Sequence, residues 1–305
     1  MLRFLVQRAI QMVAVFLLIS LVIFLLLILT GDPIELLLPP AAGLDQVQAL
    51  QRSLGLDQPW YVQYLKFLRN AARGDLGTSF YFGEPAIRLV LERLPASLEL
   101  VLWTMLVSTL ISIPLGVLAA VRRGSWLDRV VLAGSLVGIS APTFWIGLVL
   151  IATFAVALGV LPSSGRGGWA HLVLPVVTLS FYRVALFVRL VRSGMLDVLG
   201  QDYVRTARAK GLPEQSVIYR HALRNTLIPF VTIGGMQMGA LIAFAVVTEK
   251  IFAWPGMSRL LLLSIERLDY PVVVAYAIVT AALFVVINLV VDILYVLLDP
   301  RVRYE

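Results

Sequence analysis

Few side chains in this sequence suit covalent chemistry, and none is spaced for it. There is no cysteine, which excludes disulfides, thiolate metal sites and a cysteine nucleophile. The only histidines are His171 and His221. An intramembrane serine protease needs a serine and a histidine at one depth. His171 falls at the edge of an apolar stretch, His221 lies inside a charged one, and "GIS" at 138–140 lacks the Gly-x-Ser-Gly form. A phosphate-binding loop needs Gly-x4-Gly-Lys-Ser/Thr. No glycine precedes Lys66, Lys210 or Lys250, the only lysines. The sequence therefore offers no catalytic residue, no metal site and no means of hydrolysing ATP.

What remains is charge in unexpected places. "DYVRTARAKGLPEQSVIYRHALRNTLIP", residues 202–229, carries Arg205, Arg208, Lys210, Arg220 and Arg224 against Asp202 and Glu214, with apolar sequence on both sides. It reads as a short helix with Asp202 as N-cap and a stop at Gly211, a "GLP" turn, and a second short helix opening at Pro213. Small alanines between the bases would let a partner surface approach closely. Two more charges fall inside apolar spans, Arg183 in mid-span and Asp292 near a span's inner end, and intramembrane charges are costly. At about 1.5 Å per residue, Arg189 lies nearer in depth to Asp292 than Arg183 does, so Arg189 and Asp292 are expected to form a structural pair. Arg183 is then left without a partner in this reading, a candidate to meet either a carboxylate in a pathway between the spans or a group on a partner subunit. Met236, Gln237 and Asn288 are weaker pathway candidates, better suited to packing or interhelical hydrogen bonds.

The elements that must position these residues are membrane spans. The 305 residues are 60% hydrophobic and 14% charged, with a mean hydropathy of +0.91. That is more apolar surface than one soluble core can hide. Six stretches are long and apolar enough to cross: about 9–30, 97–121 (broken in its second half by "IPLG"), 130–160 (with "GISAPTFWIG" inside), 172–196, 228–247 and 272–298. The first is read as a retained helix, its apolar run being too long for a signal peptide. With six spans both termini share a side. That side carries 14 Lys and Arg against six acids, near +8, and the other 10 against 11, near −1. The positive side is the cytoplasmic one, so the net +7 is a topology signal and not a nucleic-acid footprint. Residues 31–96 form an outer segment with helices in "LDQVQALQRSLG" and "PWYVQYLKFLRNAARG". The fold class is an all-α polytopic membrane protein: helix one over 1–30, the outer segment over 31–96, a five-helix core over 97–298 containing the loop 197–227, and a cytoplasmic tail over 299–305. A secondary transporter would show inverted repeats and paired acidic sites, and neither is evident.

The loop resembles the EAA-type loop of binding-protein-dependent ABC importer permeases, the type I class. It is most similar to the dipeptide, oligopeptide, glutathione and nickel subgroup. "MLRFLVQRAIQMVAVFLLIS", "GDP" at 31–33, "LGLDQPWYVQYLKFL", "RGDLGTSF", "TEKIFAWPGMSRLL", "DYPVV" and "NLVVDILYVLLDPRVRY" are similar too, in the same order over nearly the whole chain. There is a departure. With Gly211 aligned, Arg205, Thr206 and Ala207 occupy the Glu-Ala-Ala positions, and Pro229 falls later than the general spacing, a form common in the peptide subgroup. The resemblance implies that 203–211 (Tyr203, Arg205, Thr206, Ala207, Arg208, Ala209, Lys210, Gly211) is a coupling helix docking on an ATPase. It implies a complex of this chain with a second homologous permease subunit, two ATPase subunits that bind the ATP and magnesium, and an extracytoplasmic binding protein. The setting implied is the bacterial inner membrane, with no cofactor in this chain. Small peptides are the implied substrate, with glutathione or nickel as alternatives.

Overall fold

A computed structural model describes residues 57–298, together with residues 10, 13–22, 24–25, 43, 45–46, 48 and 51–52. Among the described residues all regular structure is helical, apart from one isolated bridge between Thr78 and Pro85. The helices are α1 (Val13–Val22), α2 (Trp60–Ala71), α3 (Ala86–Val121), α4 (Trp126–Ser140), α5 (Thr143–Leu150), α6 (Trp169–Leu199), α7 (Asp202–Ala209), α8 (Arg224–Phe244), α9 (Val246–Ile251), α10 (Met257–Glu266) and α11 (Tyr270–Leu298). Four helical runs are long and apolar enough to cross a membrane: Ala86–Val121, Trp169–Leu199, Glu214–Ala243 and Tyr270–Leu294. A fifth crossing is possible if α4 and α5 count as one bent span. Part of the expected first span (9, 11–12, 23 and 26–30), most of "LDQVQALQRSLG" and the tail 299–305 lie outside the described residues.

Three expectations need correction. The second span does not break at "IPLG". α3 runs unbroken through Pro114, beginning at Ala86 within the outer segment. Membrane helices tolerate proline where neighbours satisfy the freed carbonyl. Gly116 allows α6 to pack close, since a Cβ there would lie 2.7 Å from the Val191 Cβ. The third span, by contrast, does break. α4 and α5 meet at 102°. The residue before a proline is driven out of the helical region, and Ala141, before Pro142, is extended at φ −77° and ψ 126°. α5 then continues as a π-helix over Ile151–Ala157. Third, the second short helix of the loop is not separate. From Glu214 the chain runs through a π-helix, Val217–Leu223, directly into α8, with Pro229 inside it.

The chain divides into two compact units. One comprises residues 1–95 and 256–285, the other 96–255 and the stretch from Val286. In the first unit, Pro59 starts α2 as expected, and Tyr64 of α2 hydrogen-bonds through its hydroxyl to the Leu17 carbonyl of α1 (3.0 Å). Buried Asp269 accepts from the Ser79 hydroxyl and from the Phe80 N–H (3.0 Å). In the second unit, Val117, Phe187, Val191, Met195, Ala222 and Phe230 form a buried core between α3, α6 and α8. Its segment 248–254 closes on itself. Glu249 is fully buried and accepts from the Ser97 hydroxyl (2.7 Å). Trp254, also fully buried, donates from Nε1 to the Ala96 carbonyl (2.9 Å).

Candidate functional site

The loop between α6 and α8 holds the densest set of candidate residues, and its geometry is that of a short rigid helix on a fixed base. α7 spans Asp202–Ala209. Its N-cap is Gln201 and not Asp202, which sits instead in the first turn, where a carboxylate favours the helix dipole. Val204 and Ala207 point inward and pack with Val217, Val198 and Leu199. A helix this short has marginal stability by itself, so this apolar contact anchors it. Two side-chain links add to the anchor. The Asn225 amide donates to the Tyr203 hydroxyl (2.6 Å). Arg208 donates to Glu214 through Nε (3.1 Å) and Nη2 (2.7 Å), and that bond raises the Arg208 guanidinium above its ordinary pKa range.

Gly211 ends the helix. Its φ is +75°, and a Cβ there would meet no atom within 4 Å. The Gly211 N–H bonds the Arg208 carbonyl (2.9 Å) and the Leu212 N–H bonds the Ala207 carbonyl (3.4 Å). This pair of bonds is a Schellman stop, which needs a left-handed residue. The glycine is thus required by backbone conformation, not by close packing within the chain.

The outward face of α7 presents Tyr203, Arg205, Thr206, Ala209 and Lys210. Arg205 has only a long, open contact to Asp202 (3.5 Å), worth little in water. Of the coupling candidates, Ala207 faces inward and Arg208 is engaged by Glu214. The rest are exposed.

The pathway candidates scatter. Arg183 is 8% exposed. Its Nη1 donates to the Leu179 carbonyl (2.9 Å), and its Nε is buried without a partner among the described residues. Met236 is exposed on α8, while Gln237 and Asn288 are half-buried. Among the described residues Arg189 and Asp292 make no ion pair with each other. Arg189 is exposed and lines an open cavity of about 500 Å³ with Leu132, Leu186, Leu190, Arg192 and Ser193, and Asp292 makes contacts of its own. Matching depth left the helix face undetermined, and the face decides. The pair that does form is Arg192 with Asp128 of α4, at 2.6 Å. Sequence reasoning passed over it, although Ser125-x-x-Asp128 before an apolar run has the form of a capping box.

Known proteins supply the context. The family model described as "Binding-protein-dependent transport system inner membrane component" matches residues 112–304. Its N-terminal companion, "Binding-prot-dependent transport system membrane comp, N-term", matches residues 1–101. The glutathione transport system permease protein GsiC of Escherichia coli (strain K12) is 39% identical over 306 residues, covering 100% of each chain. GsiC of Salmonella choleraesuis (strain SC-B67) is similar to the same extent. Among solved structures, an inward-facing conformation of the MetNI methionine ABC transporter shares the fold, with a TM-score of 0.58 and 19% identity over 69% of this chain and 96% of that one.

Proposed function

Because this chain belongs to the family of binding-protein-dependent transport system inner membrane components, we propose a specific job within it: passage of small peptides, glutathione among them, through a pathway opened and closed from α7. The chain is a multi-pass inner-membrane permease subunit of an ABC importer, with the type I permease fold, and it is not an enzyme. A permease of this family works with ATPase subunits and a substrate-binding protein. In this reading the loop and both termini face the cytoplasm, two ATPase subunits bind ATP and magnesium, and a second homologous permease completes the pathway as a heterodimer. The working regions are the first span over 1–30, the outer segment over 31–96, the core over 97–298 and the tail over 299–305.

The observation that carries the reading is the fixed base of α7. A flexible loop absorbs a push, whereas a short helix tied to the ends of two spans passes on a rigid-body displacement. Val204 and Ala207 hold α7 to Val198 and Leu199 of α6, and Tyr203 ties it to Asn225 of α8. Arg205 and Lys210 stand outward to meet acidic groups on the ATPase, and Tyr203, Thr206, Ala209 and Gly211 shape the contact, with Arg208 bracing it through Glu214. Arg183, Met236, Gln237 and Asn288 remain the pathway candidates, and Arg183 becomes available to a carboxylate only when the spans separate.

The substrate follows from the relatives, which are glutathione permeases by name, and from the peptide-type form of the loop. Vesicles holding the complete complex should take up labelled dipeptide or glutathione when ATP is supplied. Uptake of nickel with neither peptide transported would overturn the peptide reading and leave the importer intact.

A further inference from the structure

The Asp128–Arg192 pair joins two elements that packing alone could leave free to slide. Asp128 stands in the first turn of α4 and is 3% exposed. Its carboxylate accepts from the Gly124 N–H (2.9 Å), and from Nε (2.6 Å) and Nη2 (2.8 Å) of Arg192. The Ser125 hydroxyl caps the helix by accepting from the Asp128 N–H (3.3 Å). The helix start is served by that cap. It does not need an arginine from another helix, and this arginine belongs to α6, whose end leads straight into α7. The bidentate geometry fixes orientation as well as distance.

Farther along the same two helices the contact is steric. A Cβ on Gly138 of α4 would lie 2.6 Å from the Ala185 Cβ and 3.3 Å from the Phe181 carbonyl oxygen of α6. α4 and α6 are thus held at two levels, by a charged fork at one and by backbone approach at the other. Just beyond Gly138 the chain bends by 102° into α5. A displacement of α7 moves the end of α6, the fork carries it to the start of α4, and the steric contact makes α4 follow as a body up to the bend.

We infer that Asp128 and Arg192 are positioning residues that transmit the movement of α7 into the broken span α4–α5. The inference rests on the reading of α7 as the coupling helix. A pair that only capped or stabilised α4 would change the amount of folded complex. A transmitting pair changes the amount of substrate moved per ATP hydrolysed.

The test uses the complete complex in vesicles, with uptake and ATP hydrolysis measured together. Asp128→Asn and Arg192→Gln should keep hydrolysing ATP while uptake per ATP falls about tenfold, within the range of ordinary coupling energies. Arg192→Lys, which keeps the charge but loses the fork, should fall between these and the unaltered complex. Ser125→Ala, which removes the cap alone, should leave the ratio unchanged. Should the single variants assemble poorly, the exchanged pair Asp128→Arg with Arg192→Asp decides: recovery of assembly together with the ratio supports transmission, and anything less overturns it. An unchanged ratio in Asp128→Asn and Arg192→Gln, alongside uncoupling by Ala209→Trp on the outward face of α7, removes the pair and spares the reading of α7. A normal ratio in Ala209→Trp removes both.

Discussion

Two stretches of the second unit interrupt apolar sequence with polar residues, and they are built in opposite ways. In the segment 248–254 Thr248, Glu249, Phe252 and Trp254 are buried while Lys250 stays exposed: Glu249 and Trp254 have no exposed surface, and each is met by a partner in α3, Ser97 and the Ala96 carbonyl. In the loop 202–211 the order is reversed. Only Val204 and Ala207 are buried, and the bases face outward. The first arrangement is complete within the chain. The second keeps its charges at the surface, with Arg208 braced by Glu214. Charge in an apolar sequence is therefore no signature of function until burial is known.

Substitutions can break or sharpen this contrast. The largest effect is expected at Trp254. Trp254→Ala removes a fully buried ring and its bond to the Ala96 carbonyl, and should cost about 3–5 kcal/mol of stability, read as a marked fall in the melting temperature of the purified complex. A melt within error of the unaltered protein would show that the segment is not a structural knot. Gly211→Ala forces a β-carbon into a left-handed backbone and should cost about 1 kcal/mol, while Gly211→Asn, which tolerates that conformation, should cost less. Equal effects of the two would separate Gly211 from the helix stop. Tyr203→Phe removes one half-exposed hydrogen bond, a loss of about 0.5 kcal/mol, and should loosen the loop detectably by hydrogen exchange at α7 without changing the melt. Arg205→Ala should leave stability within about 0.5 kcal/mol, yet weaken co-purification of the ATPase subunits. Loss of folded protein instead would place Arg205 with the buried residues.

These regions also mark how far the sequence could be read. Composition, the spacing of apolar runs and the placement of bases located the later spans and the loop, because burial in lipid demands long apolar helices whatever the tertiary packing. Pro142 and Pro114 show the limit. The same residue type bends one span and is absorbed in another, and the outcome depends on neighbours: α6 packs against Gly116, while Ala141 turns out of the helix. The loop's stop at Gly211 was legible because a positive φ is written locally. The inward turn of Ala207 was not, since it depends on Val217 reaching back from the next helix. The Arg192–Asp128 pair was not legible for a similar reason. Depth can be counted from rise per residue, but the face that Arg189 and Arg192 present is set by the approach of α4, and only the structure supplied Asp128.

If α7 is where an ATPase drives this permease, bulk added to its outward face must break coupling. Gly211→Trp would test it poorly, because strain in the helix stop would mix with any lost contact. Ala209 is exposed within the helix itself, so Ala209→Trp adds bulk to the outward face without that strain. Substrate uptake per ATP hydrolysed, measured in vesicles holding the complete complex with the binding protein inside the same assay, is the direct readout. Ala209→Trp should fold with an unchanged melting temperature and lose most of its uptake per ATP. An assembled Ala209→Trp complex that transports at the unaltered ratio would contradict it.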